Sequence, residues 1–261
     1  MNNNYLTAFK AIVYREFLRF LQQYTRFFAS LVRPLVWLFI FAAGFKSVLG
    51  VSIIPPYETY VLYETYITPG LCAIILLFSG MQNSLSMIYD REMGSMKVLL
   101  TAPLPRWFLL LSKSMANVSV GIVQVYVFLI IAYLWGVEIN FNTYLTLLPV
   151  LYLVGLMFNA IGLLLSSLIK QLENFAGVMN FVIFPVFFAS SALYPLWNIQ
   201  QSSLLLYQIA TYNPFTYATE AIRFALYAQF NVDYLVVILL VTTVFVSLSL
   251  FVYNGRCIKF S

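Results

Sequence analysis

Apolar residues recur along this chain in two different rhythms. From Tyr5 to Phe28 the spacing is that of an amphipathic helix. At 100° per residue Leu6, Val13, Phe17, Phe20, Tyr24 and Phe27 fall on one face, and Arg15, Arg19, Gln22 and Arg26 on the other. A helix with a basic face and a phenylalanine-rich face suits the plane of a membrane interface, where arginines meet anionic headgroups. Packing on a partner protein is the other use of such a helix. Beyond it the periodicity gives way to long apolar runs. Six of them approach the roughly 20 residues needed to cross about 30 Å of hydrocarbon, at about residues 28–49, 66–89, 114–136, 145–169, 174–194 and 234–253. The pattern predicts an all-α membrane protein, with an interfacial helix over residues 1–27 and one transmembrane domain of six spans over 28–261. No internal repeat and no Pro- or Gly/Ser-rich linker divides it.

Leu204 to Phe230 is apolar enough to suggest a seventh crossing. It contains Asn213-Pro214, Glu220 and Arg223, and an arginine at mid-membrane costs at least ~2.5–3.5 kcal/mol. The stretch therefore reads as two short re-entrant helices in the outer leaflet, broken near Asn213-Pro214 and shielded by protein. Glu220 and Arg223 stand at i, i+3, a spacing that lets them neutralise each other.

The connections set the orientation. Lys10, Arg15, Arg19, Arg26 and Arg33, then Arg91, Lys97, Arg106 and Lys113, then Lys170, Arg256 and Lys259 all fall on one side of a six-span fold. Only Lys46 and Arg223 fall on the other. The positive-inside rule places both termini in the cytoplasm.

Composition narrows the function classes. Hydrophobic residues make up 62% of the chain and charged ones 9%, with a mean hydropathy of +0.88. A soluble domain needs roughly 25% charged residues, so no soluble catalytic domain fits. The net charge of +5 sits in short blocks between apolar runs, without the basic stripe of a nucleic-acid binder. There is no histidine, and Cys72 and Cys257 form no metal or disulfide framework. The acids Glu16, Glu58, Glu64, Asp90, Glu92, Glu138, Glu173, Glu220 and Asp233 all fall in arms or connections, away from the mid-span positions of a proton-coupled carrier. No lysine follows a glycine, so the chain has no phosphate-binding loop of the Walker type. The charged residues before position 27 and the absence of a small-residue cleavage pattern lead to the expectation of a retained N-terminus. Gln82, Asn83, Ser84, Asn117, Gln124, Asn159 and Asn180 lie inside spans, where neutral polar residues hydrogen-bond between helices or line a path.

The most informative connection is DREMGSMKVLLTAPLPRWFLLLSK, Asp90 to Lys113. The second span runs into a charged turn, a short helix can continue to about Thr101, and Pro103 and Pro105 stop it before the chain re-enters the membrane. A compact helix on the ends of two spans would tilt both when pushed. An ordinary basic loop is the plainer reading.

At these residues the chain resembles the ABC type-2 (ABC-2) exporter permeases, the membrane subunits of ATP-binding-cassette exporters. The resemblance rests on Asp90-Arg91-Glu92-Met93-Gly94-Ser95 followed by Leu99-Leu100 and Pro103, on FPVFFASSALYP from Phe184 to Pro195, and on NPFTYATEAIR from Asn213 to Arg223. It departs from the family pattern at Ser191, where a glycine is usual. The nearest branch is that of drug and nodulation-factor export. The resemblance implies a coupling helix that seats in the ATPase, formed by Asp90, Arg91, Glu92, Gly94, Ser95, Leu99 and Leu100, with Arg91 and Glu92 as its polar contacts. It implies an interface helix carrying Arg15, Arg19 and Arg26, and an exit region that includes Pro195, Asn213, Pro214, Tyr217, Glu220 and Arg223. Two copies would pair with two ATPase subunits in the cytoplasmic (inner) membrane. ATP and magnesium would sit on the ATPase and no cofactor on this chain. The implied cargo is amphipathic, lipid-linked, saccharide or drug-like, and it moves outward. Two other classes stand beside this one: a secondary transporter or channel that needs no ATPase, and an intramembrane lipid-modifying enzyme, for which the chain lacks clustered acids or histidine.

Overall fold

The computed structural model describes residues 2–22, 24–45, 56–57, 61–94, 105–137, 143–169 and 171–257. The elements among them are all α-helices: α1 (Asn2–Gln22), α2 (Tyr24–Phe45), α3 (Tyr63–Glu92), α4 (Arg106–Trp135), α5 (Thr143–Leu168), α6 (Leu172–Phe188), α7 (Leu196–Ser202), α8 (Leu204–Tyr212), α9 (Pro214–Ala225) and α10 (Val232–Cys257). Four are long and apolar enough to cross a membrane: α3, α4 from Trp107, α5, and α10 as far as Val252. They coincide with the expected spans at 66–89, 114–136, 145–169 and 234–253. The other two expected spans fall on helices with shorter apolar windows, Ser30–Ile40 in α2 and Gly177–Phe188 in α6. α2 contains Arg33 and Pro34. α6 stops at Phe188, six residues before the expected end of its span at Tyr194.

α3 is the hub. It packs against α2, α4, α5, α6 and α9, and from Tyr66 to Leu77 every residue is buried. Burial on all sides explains why its apolar run lacks the alternation of a surface helix. Its closest neighbour is α5. A Cβ on Gly80 would come within 2.9 Å of the Phe158 carbonyl carbon, and one on Gly162 would overlap the Ser84 hydroxyl and lie 3.0 Å from the Gly80 carbonyl oxygen. Small residues facing each other let two backbones approach, the usual device where lipid supplies no hydrophobic drive between helices. α5 also carries α10 on its other side.

Helix is described over both parts of the stretch expected at Tyr5–Phe28, as α1 up to Gln22 and as α2 from Tyr24, with Gln23 outside the described residues. Phe20 and Phe27 meet edge to face, with centroids 5.3 Å apart. One expectation about the N-terminal arm is corrected, the facing of α1. Tyr5, Phe9, Ile12, Glu16, Arg19 and Phe20 turn toward the bundle, and Leu6, Tyr14, Phe17, Leu18 and Leu21 are exposed. Arg19 therefore leaves the outward basic face assigned to it, because Asp90 and Ser86 offer it partners.

Candidate functional site

Functional groups gather at the two ends of α3, with a polar seam between them. At the Glu92 end the last helical turn supplies three charged residues in succession. Asp90 is buried and its carboxylate accepts from Lys113 Nζ of α4 at 2.7 Å, with Arg19 of α1 at 3.7 Å. Arg91 donates to the carbonyl of Ser166, in the last turn of α5, at 3.1 Å. Glu92 accepts from the backbone N–H of Leu172 at 3.1 Å, at the start of α6, where free N–H groups attract a carboxylate. Three consecutive side chains thus reach four other helices. Just beyond, Gly94 adopts φ +73°, a left-handed conformation that ends the helix cheaply only in glycine. Ser95, Leu99 and Leu100, and the short helix expected to reach Thr101, lie outside the described residues. Arg15 is exposed and pairs with Glu16 at 2.8 Å, and the side chain of Arg26 lies outside the described ones.

At the Tyr63 end, the chain leaving α6 folds back over the bundle. Asn213 organises it. Its Oδ1 accepts from Phe215 N–H at 2.9 Å and so caps α9, while its Nδ2 donates to the carbonyls of Val186 and Ala189 at 2.7 and 2.6 Å. Those carbonyls close α6, which is why the helix stops before Tyr194. Pro214 occupies the first turn of α9, where its missing N–H costs nothing. The break at Asn213 and the two helices flanking it match the sequence expectation. Pro195 is buried and caps α7.

α9 then brings Glu220 and Arg223 inward. They form the ion pair that their spacing suggested, with Arg223 only 2% exposed. Further hydrogen bonds offset the cost of burying such a pair, and here they serve all of it except Arg223 Nε, which has no hydrogen-bond partner. The Ser191 hydroxyl donates to Glu220 at 2.6 Å, and the Ser191 carbonyl accepts from Arg223 at 3.2 Å and from the Tyr66 hydroxyl at 2.9 Å. The guanidinium also lies 4.1 Å from the centre of the Tyr66 ring. Tyr217 is half-buried, edge to face with Tyr234 of α10 at 6.1 Å. Ser191, where the chain departs from the family glycine, is thus the anchor of the pair. The close backbone approach occurs one residue on, where a Cβ on Gly70 of α3 would meet that of Ala192 at 2.7 Å. Ser191 and Tyr66 escaped sequence reasoning, since nothing local marks a serine or tyrosine that will meet a charge from another helix.

Between the two ends, Asn83 donates to Asn159 at 2.7 Å and Asn117 donates to the carbonyl of Ser79 at 3.2 Å. These are the interhelical bonds expected of span amides. Asn180 instead stands exposed on α6.

A helical bundle of membrane-spanning length, with charge clusters at its ends and neutral amides within, has the build of a transport protein's membrane subunit. The model of the ABC-2 type transporter family matches residues 7–227, and the chain belongs to that family. It is 28% identical over 218 residues to the transport permease ycf38 of Cyanophora paradoxa, covering 82% of this chain and 72% of that protein. The ycf38 permease of Porphyra purpurea is 27% identical over 221 residues, with the same coverage of 82% and 72%. A protein named as a multidrug ABC transporter permease, YbhR of Escherichia coli (strain K12), is 30% identical over 161 residues, 60% of this chain and 42% of that one. The chain is a transport permease of a non-enzymatic membrane-subunit family.

Proposed function

We propose that the chain is the membrane half of an exporter driven by a separate ATP-binding-cassette subunit, which works the bundle through the connection between α3 and α4. In this reading the chain crosses the cytoplasmic membrane six times with both termini inside. α7 to α9 form re-entrant helices at the outer exit. Two copies pair with two ATPase subunits, which hold the ATP and magnesium.

The observation that carries the reading is the bracing at the base of that connection. Asp90, Arg91 and Glu92 bind groups on α4, α5 and α6, with α1 held alongside through Arg19. A push delivered beyond Gly94 is therefore shared among five helices. The excess of Lys and Arg on the same side of the chain supports its cytoplasmic placement. The cargo class proposed is amphipathic, lipid-linked, saccharide or drug-like. The multidrug name of one relative favours the last of these.

The test is Glu92→Arg in the permease assembled with its ATPase in sealed vesicles. Expected is an intact complex that still hydrolyses ATP but has lost transport. Transport at the wild-type rate with the complex intact would rule out a coupling role for this turn, and flux through the permease alone would favour the ATPase-free class.

A further inference from the structure

The first turns of α2, the inner face of α1, the Glu92 half of α3 and the first half of α4 enclose a cleft of about 70 Å³, open along one side. One ordered water needs only about 10–15 Å³, so the space suits a larger polar group. The polar part of its wall is Arg19, Glu16, the amides of Gln82, Asn83, Asn117 and Gln124, and the hydroxyls of Ser79 and Ser86. Asn83 and Gln124 are 4% and 5% exposed. At 1.5 Å per residue, Ser86 lies about 9 Å and Ser79 about 20 Å in from the Glu92 end of α3. A helix of this length overhangs a ~30 Å hydrocarbon layer at both ends, so the cleft runs from the interface toward mid-membrane. Acyl chains at that depth would leave the amides of Gln82 and Gln124 unsatisfied, while Asn83 and Asn117 bond Asn159 and Ser79.

The charges specify the sign of an occupant. Arg15, Arg19 and Lys113 face Glu16 and Asp90, a surplus of one positive charge. Arg19 gives one hydrogen bond to the hydroxyl of Ser86 at 3.1 Å and stands 3.7 Å from Asp90. A guanidinium has five N–H donors. The apolar part of its wall is Phe20, Phe27 and Val120, and Phe17, Leu21 and Phe28 of the same two helices are exposed at 45%, 55% and 62%. A cationic, amide-lined recess with apolar residues beside it fits an amphiphile whose headgroup carries a phosphate.

We propose that this cleft binds the phosphate headgroup of a membrane phospholipid, with Arg19 and the Gln82, Asn117 and Gln124 amides around the phosphate and the acyl chains leaving across Phe20 and Phe27. The site lies within one chain and does not depend on the transport reading. Its occupant bridges α1, α3 and α4 beside the Asp90–Lys113 pair, so bilayer composition acts on the braced end of the bundle.

The test is native mass spectrometry of the purified full chain in detergent, titrated with dioleoylphosphatidylglycerol, with dioleoylglycerol lacking the phosphate, and with inorganic phosphate. Expected is one tightly held phosphatidylglycerol per chain, weakened about tenfold in Arg19→Gln and in Gln124→Leu, and not displaced by dioleoylglycerol or by equimolar phosphate. Arg19 also braces Asp90, so Gln124→Leu, with an unchanged melting temperature, decides the matter should Arg19→Gln fold poorly. Phosphatidylglycerol binding unaffected by both variants marks surface lipid only and overturns the proposal. Equal binding of dioleoylglycerol removes the phosphate from it, and equal competition by inorganic phosphate removes the lipid.

Discussion

Breaking the buried pair of α9 gives the sharpest stability prediction. In Glu220→Gln the guanidinium of Arg223 stays buried at 2% exposure, facing a neutral amide oxygen in place of the carboxylate, with the Ser191 carbonyl at 3.2 Å and the Tyr66 ring at 4.1 Å. Removing one partner of a buried pair costs about 3–5 kcal/mol, and these residual contacts put the cost near the low end. For a chain of this size each kcal/mol moves the melting temperature by roughly 2–4 °C, so a drop of about 6–12 °C is expected for the purified protein in detergent. Arg223→Leu leaves Glu220 with the Ser191 hydroxyl as a donor, so its loss is smaller. The double variant removes both charges and loses less than Glu220→Gln alone, since a neutral replacement of the whole pair is often harmless. Thermal unfolding of the three variants followed by intrinsic fluorescence is the assay. Additive losses in the double variant, or shifts under about 1 °C in both single ones, would refute the view that the pair holds α9 against Ser191.

Two further predictions concern packing and capping. Gly80→Leu should destabilise by more than the ~1–3 kcal/mol usual for overpacking, because the atoms it meets are the backbone of Phe158 and Asn159, which cannot swing aside. Gly44→Ala, with nothing within 4 Å, is the control, and equal melting temperatures for the two would contradict the close α3–α5 crossing. At position 213, aspartate is ordinarily as good a cap as asparagine. Here Asn213→Asp should be worse than Asn213→Ser, since it turns a carboxylate on the Val186 and Ala189 carbonyls that the amide now serves; the same melting experiment ranks the three.

Local signals in the sequence carried as far as one helix at a time. The break between α8 and α9 was legible because Asn-Pro is a capping chemistry that acts within two residues. The Glu220–Arg223 pair was legible because i, i+3 neighbours meet on any helix. The early end of α6 was not, since what stops it is an amide 24 to 27 residues further along.

The same distinction explains the charged turn at Asp90. Sequence marked it by its motif, and the motif reads as a surface offered to a partner. In the folded chain Asp90 is buried, Arg91 half-buried and Glu92 exposed, and each neutralises or caps a group on another helix. A lever needs a fixed base as much as a contact face. Were Asp90, Arg91 and Glu92 loose, movement of the segment beyond Gly94 would be absorbed by side-chain rotation. In the coupling proposed above, Asp90, Arg91 and Glu92, held at distances of 2.7 to 3.1 Å on three sides, are the fixed base that would pass it on.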